Sequence, residues 1–118
     1  MAATPKLTTM LTGLKVAQAP FRALDHLYSK ILRVMQKLPP TYPYRMHTEK
    51  VIKDRTAILI STEDIATVEE KIGCGQVEEL IVQAENELLL ARKMSVWKPW
   101  EPLVAEAPEH QWTWPPTK

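Results

Sequence analysis

The chain has 118 residues, 45% of them hydrophobic and 25% charged, with a formal net charge of +1. A chain of that length makes one domain and buries roughly two-thirds of its unfolded surface, enough for a modest core. A lone cysteine, Cys74, excludes a disulfide framework and a four-cysteine zinc site, and no apolar run reaches the roughly 20 residues of a membrane-spanning helix.

Only three glycines occur, and no run alternates apolar and polar residues as a strand does. Long segments repeat at helical spacing instead. The expected class is all-α: a small bundle of three to four helices followed by an extended tail. Residues 1–19 form an N-terminal segment, 20–97 the helical bundle, and 98–118 a Trp/Pro-rich docking tail.

Residues 1–19 contain no acidic side chain. Leu7, Met10, Leu11 and Leu14 would share one helical face beside Lys6 and Lys15. That is a weak form of a mitochondrial targeting segment, which is amphipathic, basic and poor in acids. A plain disordered terminus is the alternative. Lys15 interrupts any apolar stretch of the kind a secretory signal needs.

Pro20 suits the first position of a helix. Leu24, Leu27, Tyr28, Ile31, Leu32, Met35 and Leu38 then lie on one stripe, and Pro39-Pro40 end it. A second helix is expected from Pro43 to Ile60, with its apolar face on Tyr44, Val51 and Ile58, joined by Met46 and Ile52. Ser61 or Thr62 can cap a short third helix carrying Ile65, Val68 and Ile72, with Glu63 and Asp64 near its positive end. Gly73 closes that helix.

The stretch from Gly73 to Trp100 reads as one long helix that starts after the glycine pair Gly73 and Gly75 and ends at a tryptophan–proline knot. Val77, Leu80, Ile81, Ala84, Leu88 and Ala91 make its main stripe at spacings of three and four. A thinner stripe of Val82, Leu89 and Val96 predicts a helix contacted on a second side. Arg92 and Lys93 sit in its last turns, the sign the helix dipole favours there.

After Met94 the texture changes. Pro99, Pro102, Pro108, Pro115 and Pro116 forbid a helix and disfavour a central strand. The region also holds all four tryptophans, Trp97, Trp100, Trp112 and Trp114. Together they can cover roughly 600–1,000 Å², since each buries about 150–250 Å². A soluble monomer tolerates exposed apolar patches of only about 300–600 Å². The tail therefore either straps the bundle or docks on another protein, and tryptophan's enrichment at interface hot spots favours docking. The expected partner interface is Trp97, Pro99, Trp100, Glu101, Pro102, Trp112 and Trp114. The PxxP pattern of Pro99–Pro102 is too common to specify an SH3 ligand.

Catalytic and metal-binding patterns are missing. His26, His47 and His110 are scattered, and neither a zincin, a c-type haem nor a di-iron motif is present. Gly73-Cys74-Gly75 lacks the lysine and hydroxyl of a phosphate loop and precedes Glu78 and Glu79, which would repel phosphate. Cys74 has no obvious base for nucleophilic work. No metal, no cofactor and no catalytic residue is expected. Charge is unevenly spread. Residues 1–37 carry six basic side chains against one acidic, and residues 61–91 eight acidic against one basic. Two readings follow: helical elements that attract each other, or a polar molecule docking between them.

The run Gly75-Gln76-Val77-Glu78-Glu79-Leu80-Ile81, then Gln83-Ala84-Glu85, Glu87-Leu88 and Leu90-Ala91-Arg92-Lys93-Met94, closely resembles one family. So do Trp97-Lys98-Pro99-Trp100-Glu101-Pro102-Leu103-Val104, the ending Gln111-Trp112-Thr113-Trp114-Pro115, and Leu27-Tyr28 with Lys30-Ile31-Leu32. The family is alpha subcomplex subunit 5 of mitochondrial complex I (NADH:ubiquinone oxidoreductase). The resemblance implies a helical, non-catalytic accessory subunit on the matrix side of the inner membrane. Its place would be in the peripheral arm near the ubiquinone-reducing module, among other complex I subunits. It would hold no flavin, iron–sulfur cluster or quinone and would bind neither nucleic acid nor a small-molecule substrate. The alternative is a LYR-type mitochondrial adaptor for acyl carrier protein, suggested by Leu27-Tyr28. Ser29 stands where that motif needs arginine, and the acidic second half and Trp tail do not fit it.

Overall fold

Four helices make up the regular structure of the computed structural model, which describes residues 7–115. Residues 1–6 and 116–118, the outer ends of the expected targeting segment and docking tail, lie outside the described residues.

Helix α1 runs from Pro20 to Met35, with proline at its start. Its stripe buries Leu24, Tyr28, Ile31, Val34 and Met35, and Leu38 follows them into the core. The winding does not stop at Met35 but tightens. Lys37 N–H donates to the Val34 carbonyl at 2.9 Å and Leu38 N–H to the Met35 carbonyl at 3.0 Å, both spanning three residues. Proline at position 39 has no N–H to continue the α ladder and its ring would strike the carbonyl four residues back. The tightened turn keeps Leu38 on the apolar side.

Helix α2, Pro43–Ser61, buries Thr48, Ile52 and Leu59. Of the face expected from the sequence, Ile52 is buried and Tyr44 lies one turn before Thr48 on the same side, whereas Val51 and Ile58 fall one residue short of Ile52 and Leu59. Tyr44, Val51 and Ile58 are half-buried and Met46 is exposed. A threonine at a core position weakens the apolar period from which the face is read. The third helix, α3, spans Ile65–Ile72. Its N-cap is Asp64 rather than Ser61 or Thr62: the Asp64 carboxylate accepts from the Thr67 N–H at 3.3 Å and the Thr67 hydroxyl at 2.7 Å. Gly73 ends α3 in the left-handed region at φ 71°, its N–H donating to the Glu69 carbonyl at 2.9 Å.

Helix α4, Val77–Trp97, starts after the glycine pair and ends where the tryptophan–proline run begins, as expected. Gly73 and Gly75 both take positive φ, so no helix can pass through them. The Glu79 carboxylate instead accepts the Gln76 N–H at 2.9 Å and satisfies one of the free donors at the helix start. At the far end Lys98 takes a left-handed conformation ahead of Pro99. A Cβ at Gly75, where φ is +99°, would collide with that Glu79 carboxylate. Gly75→Ala should therefore displace the cap and strain the backbone, at about 1–2 kcal/mol. Thermal melts of the two proteins measure this, and an unchanged melting temperature would refute it.

Parallel helices α1 and α4 share the most extensive contact in the fold. At one end the Ala17 N–H donates to Glu78 Oε1 at 3.4 Å, and at the other Lys30, Arg33 and Lys37 lie across a groove from Arg92 and Val96. Buried Ala84 and Ala91 present no bulk on the α4 stripe, which lets the helices approach closely. Antiparallel α2 packs on α1, and α3 crosses back to the start of α4. Residues 7–19 form no helix, so the expected face of Leu7, Met10, Leu11 and Leu14 does not exist; Leu7 and Met10 are exposed. This segment is nonetheless fastened. Buried Thr9 donates its hydroxyl to the Leu14 carbonyl at 2.6 Å, and Gln76 Nε2 donates to the Thr9 carbonyl at 2.7 Å.

Candidate protein-docking surface

The tail begins where Lys98 turns the chain. The Glu101 N–H donates to the Lys98 carbonyl at 3.1 Å, closing a turn that carries Trp100 back to the bundle. There Trp100 meets Tyr42 edge-on, with ring centroids 5.5 Å apart and planes at 61°. Tyr42 in turn stands 6.1 Å from Tyr44. Trp100 is half-buried against the core. Sequence reasoning puts Trp100 among the docking residues and misses this internal anchor. The aromatic pair Tyr42 and Tyr44 in the connector is the available signal.

The other members stay in solvent. Trp97 is 63% exposed, and Trp112 and Trp114 are each 85% exposed. Pro99, Glu101 and Pro102 are exposed beside them. Leu103 and Val104 extend the apolar run. Short turns at Pro108–Gln111 and His110–Thr113 hold the distal pair without bringing it to the helices. The radius of gyration is 19.4 Å, against roughly 13 Å for a compact chain of about this size. The second stripe of α4 is also uncovered: Val82, Leu89 and Val96 are all exposed.

Two grooves flank this surface. One lies between α2 and α4 and has a volume of about 520 Å³. Arg55 reaches over it toward the Cys74 sulfur at 3.4 Å and Gln83 Oε1 at 3.5 Å. The buried Tyr28 hydroxyl in its floor has no hydrogen-bond partner. Burial raises the Tyr28 hydroxyl above its ordinary value near 10, and the neighbouring Arg55 cation opposes that rise. At the groove's other end the Tyr44 hydroxyl donates to Glu87 Oε1. Burial first, then this bond and the Glu87 charge, push the Tyr44 hydroxyl well above its ordinary range.

A tyrosine that holds its proton more tightly when folded stabilises the fold fully below its unfolded pKa of about 10. That stability drains away as pH rises from there toward the folded value. Tyr44→Phe should thus flatten the alkaline loss of stability above pH about 10 and remove one late-ionising phenol from an ultraviolet titration. An unaltered alkaline profile would show the Tyr44–Glu87 bond to be irrelevant. The second groove, about 400 Å³, is lined by Lys30, Arg33, Lys37 and Arg92 with Val34 and Val96.

Cys74 is exposed at the α3–α4 turn. No group of three histidine, cysteine or acidic side chains suited to a metal lies among the described residues, and no helix there is long and apolar enough to cross a membrane. What the surface offers is contact area: exposed tryptophans, prolines and a helix stripe. The fold and this surface define a small all-α protein with an exposed tryptophan-bearing tail.

Comparison with known proteins places the chain in a family. Residues 13–79 match the family described as the ETC complex I subunit conserved region. The chain is 48% identical over 115 residues to NADH dehydrogenase (ubiquinone) 1 alpha subcomplex subunit 5 of Bos taurus, covering 98% of this chain and 99% of that one. It is 49% identical over 110 residues to the probable counterpart in Caenorhabditis elegans, covering 93% and 73%. To the probable mitochondrial counterpart in Arabidopsis thaliana it is 41% identical over 95 residues, covering 80% and 56%. The chain belongs to the complex I alpha subcomplex subunit 5 family.

Proposed function

We propose that this chain is a non-catalytic accessory subunit of mitochondrial respiratory complex I, associated with the inner membrane. It sits on the matrix side, in the peripheral arm near the ubiquinone-reducing module, and supports assembly and stability of the machinery that passes electrons from NADH to ubiquinone. Other complex I subunits are its partners. Family membership over nearly the full chain supports the coarse assignment.

The observation that carries the docking role is the exposure of Trp97, Trp112 and Trp114 at the end of α4 and in the tail. A chain of this size gains nothing in water from holding three tryptophans outside its core. Their burial against a neighbour would supply much of one side of a standard interface, about 800 Å². Pro99 and Pro102 stiffen the segment, so less entropy is lost on docking. Trp100 fixes the root of the tail through Tyr42 and thereby its direction.

Gently solubilised mitochondrial membranes, run on a native gel and stained for NADH dehydrogenase activity, test the assignment. Co-migration of the chain with the large active band is expected. Migration only as a small free species would overturn it. Protease protection in mitoplasts tests the matrix side, where the chain should resist until the inner membrane is opened.

A further inference from the structure

We propose that the basic groove at the common C-terminal end of α1 and α4 receives an acidic segment of a neighbouring polypeptide in the assembly. This rests on the reading of the chain as a docked subunit and names the chemistry of one partner surface. Lys30, Arg33 and Lys37 are spaced three and four apart and so form one ridge along α1 and its final turn. Arg92 faces them from α4, with Ser95 and Val96 on the same wall. No carboxylate lines the groove. None of the four cations makes an ion pair among the described residues.

Helix dipoles do not account for four unmatched charges. Each helix C-terminus carries the equivalent of about −0.5 elementary charge, so two parallel ends offset roughly one cation of the four. The remainder line one groove and repel one another. Carboxylates from outside relieve that repulsion. Val34 and Val96 give the floor and rim apolar contact, so the occupant is a folded or folding segment rather than a free counter-ion. Val96 is also contiguous with Trp97, where the proposed docking tail begins. A concave site of about 400 Å³ between two helices suits protruding side chains better than the flat face of a bilayer.

Charge reversal in the assembled complex tests this. Arg33→Glu with Arg92→Glu alters two exposed positions, and helical circular dichroism of the free chain confirms folding. Retention in complex I is then followed on native gels as ionic strength is raised. The doubly reversed chain should be retained about tenfold less than wild type, because like charges then face each other at the contact. Lys53→Glu, on the far face of α2, should be retained as wild type. Wild-type retention of the doubly reversed chain overturns the proposal. If Trp112→Ala with Trp114→Ala still loses retention, the docked-subunit reading survives that failure. Should the reversed chain not fold, Arg33→Gln with Arg92→Gln is used, and retention equal to wild type again overturns the proposal. Binding of the wild-type chain to vesicles containing anionic phospholipid, lost on charge reversal while complex retention stays unchanged, would assign the groove to lipid and overturn it too.

Discussion

Replacing Trp112 and Trp114 together by alanine is expected to leave the free chain's melting temperature unchanged while sharply weakening its hold on the complex. Both side chains are 85% exposed, so neither contributes appreciable burial to the isolated fold. At an interface each tryptophan of the hot-spot kind is worth about 2 kcal/mol or more. The pair then supplies about 4 kcal/mol, roughly a thousandfold in dissociation constant. Competition between tagged wild-type and variant chains for incorporation into complex I measures the loss. Equal incorporation would rule the tail out of docking.

Trp100→Ala is the informative contrast. It removes the edge-on contact with Tyr42, worth about 0.5–1.5 kcal/mol, and some burial against the core. The free chain should be measurably less stable, and the tail should lose its fixed root.

Leu80→Ala should have the largest effect on the fold itself. Leu80 is 0% exposed, in the stripe of α4 that meets the core. Truncating a fully buried leucine removes its transfer free energy and leaves a cavity, costing about 2–5 kcal/mol. Against a typical stability of about 5–15 kcal/mol, that is a substantial fraction of what keeps a domain folded. Chemical denaturation should show a lower midpoint with an unchanged slope. The neighbouring stripe supplies the control. Leu89→Ala, at an exposed position of α4, should stay within about 0.5 kcal/mol of wild type. A Leu80→Ala cost below that of Leu89→Ala would mean that α4 does not pack as described.

Most of the fold is legible in the sequence because its signals are local. Pro20 and Pro43 mark helix starts, and Gly73 marks a helix end, each through the geometry of one residue. The main stripes of α1 and α4 are long enough for a period of 3.6 to stand out. Legibility fails where tertiary contacts decide. On α2 the buried face includes Thr48, which no hydropathy pattern selects. In residues 7–19 the docking of Thr9 against Gln76 replaces the helix that Leu7, Met10, Leu11 and Leu14 suggest. In the tail, composition names the tryptophans but does not say that Trp100 alone turns inward. That depends on Tyr42 lying within reach after the chain has folded. The basic groove is invisible for the same reason. The excess of cations in residues 1–37 is plain, but Arg92 joins them only because α1 and α4 run parallel.

A docking tail must be covered by neighbouring subunits once the complex is assembled. Oxidative footprinting of tryptophans, applied to the free chain and to intact complex I, reads that cover residue by residue. Trp112 and Trp114 should label heavily in the free chain and be strongly protected in the complex, while Trp100 labels weakly in both. Equal labelling of Trp112 and Trp114 in the two states would contradict the docking role, because the tail would then remain in water when the subunit is in place.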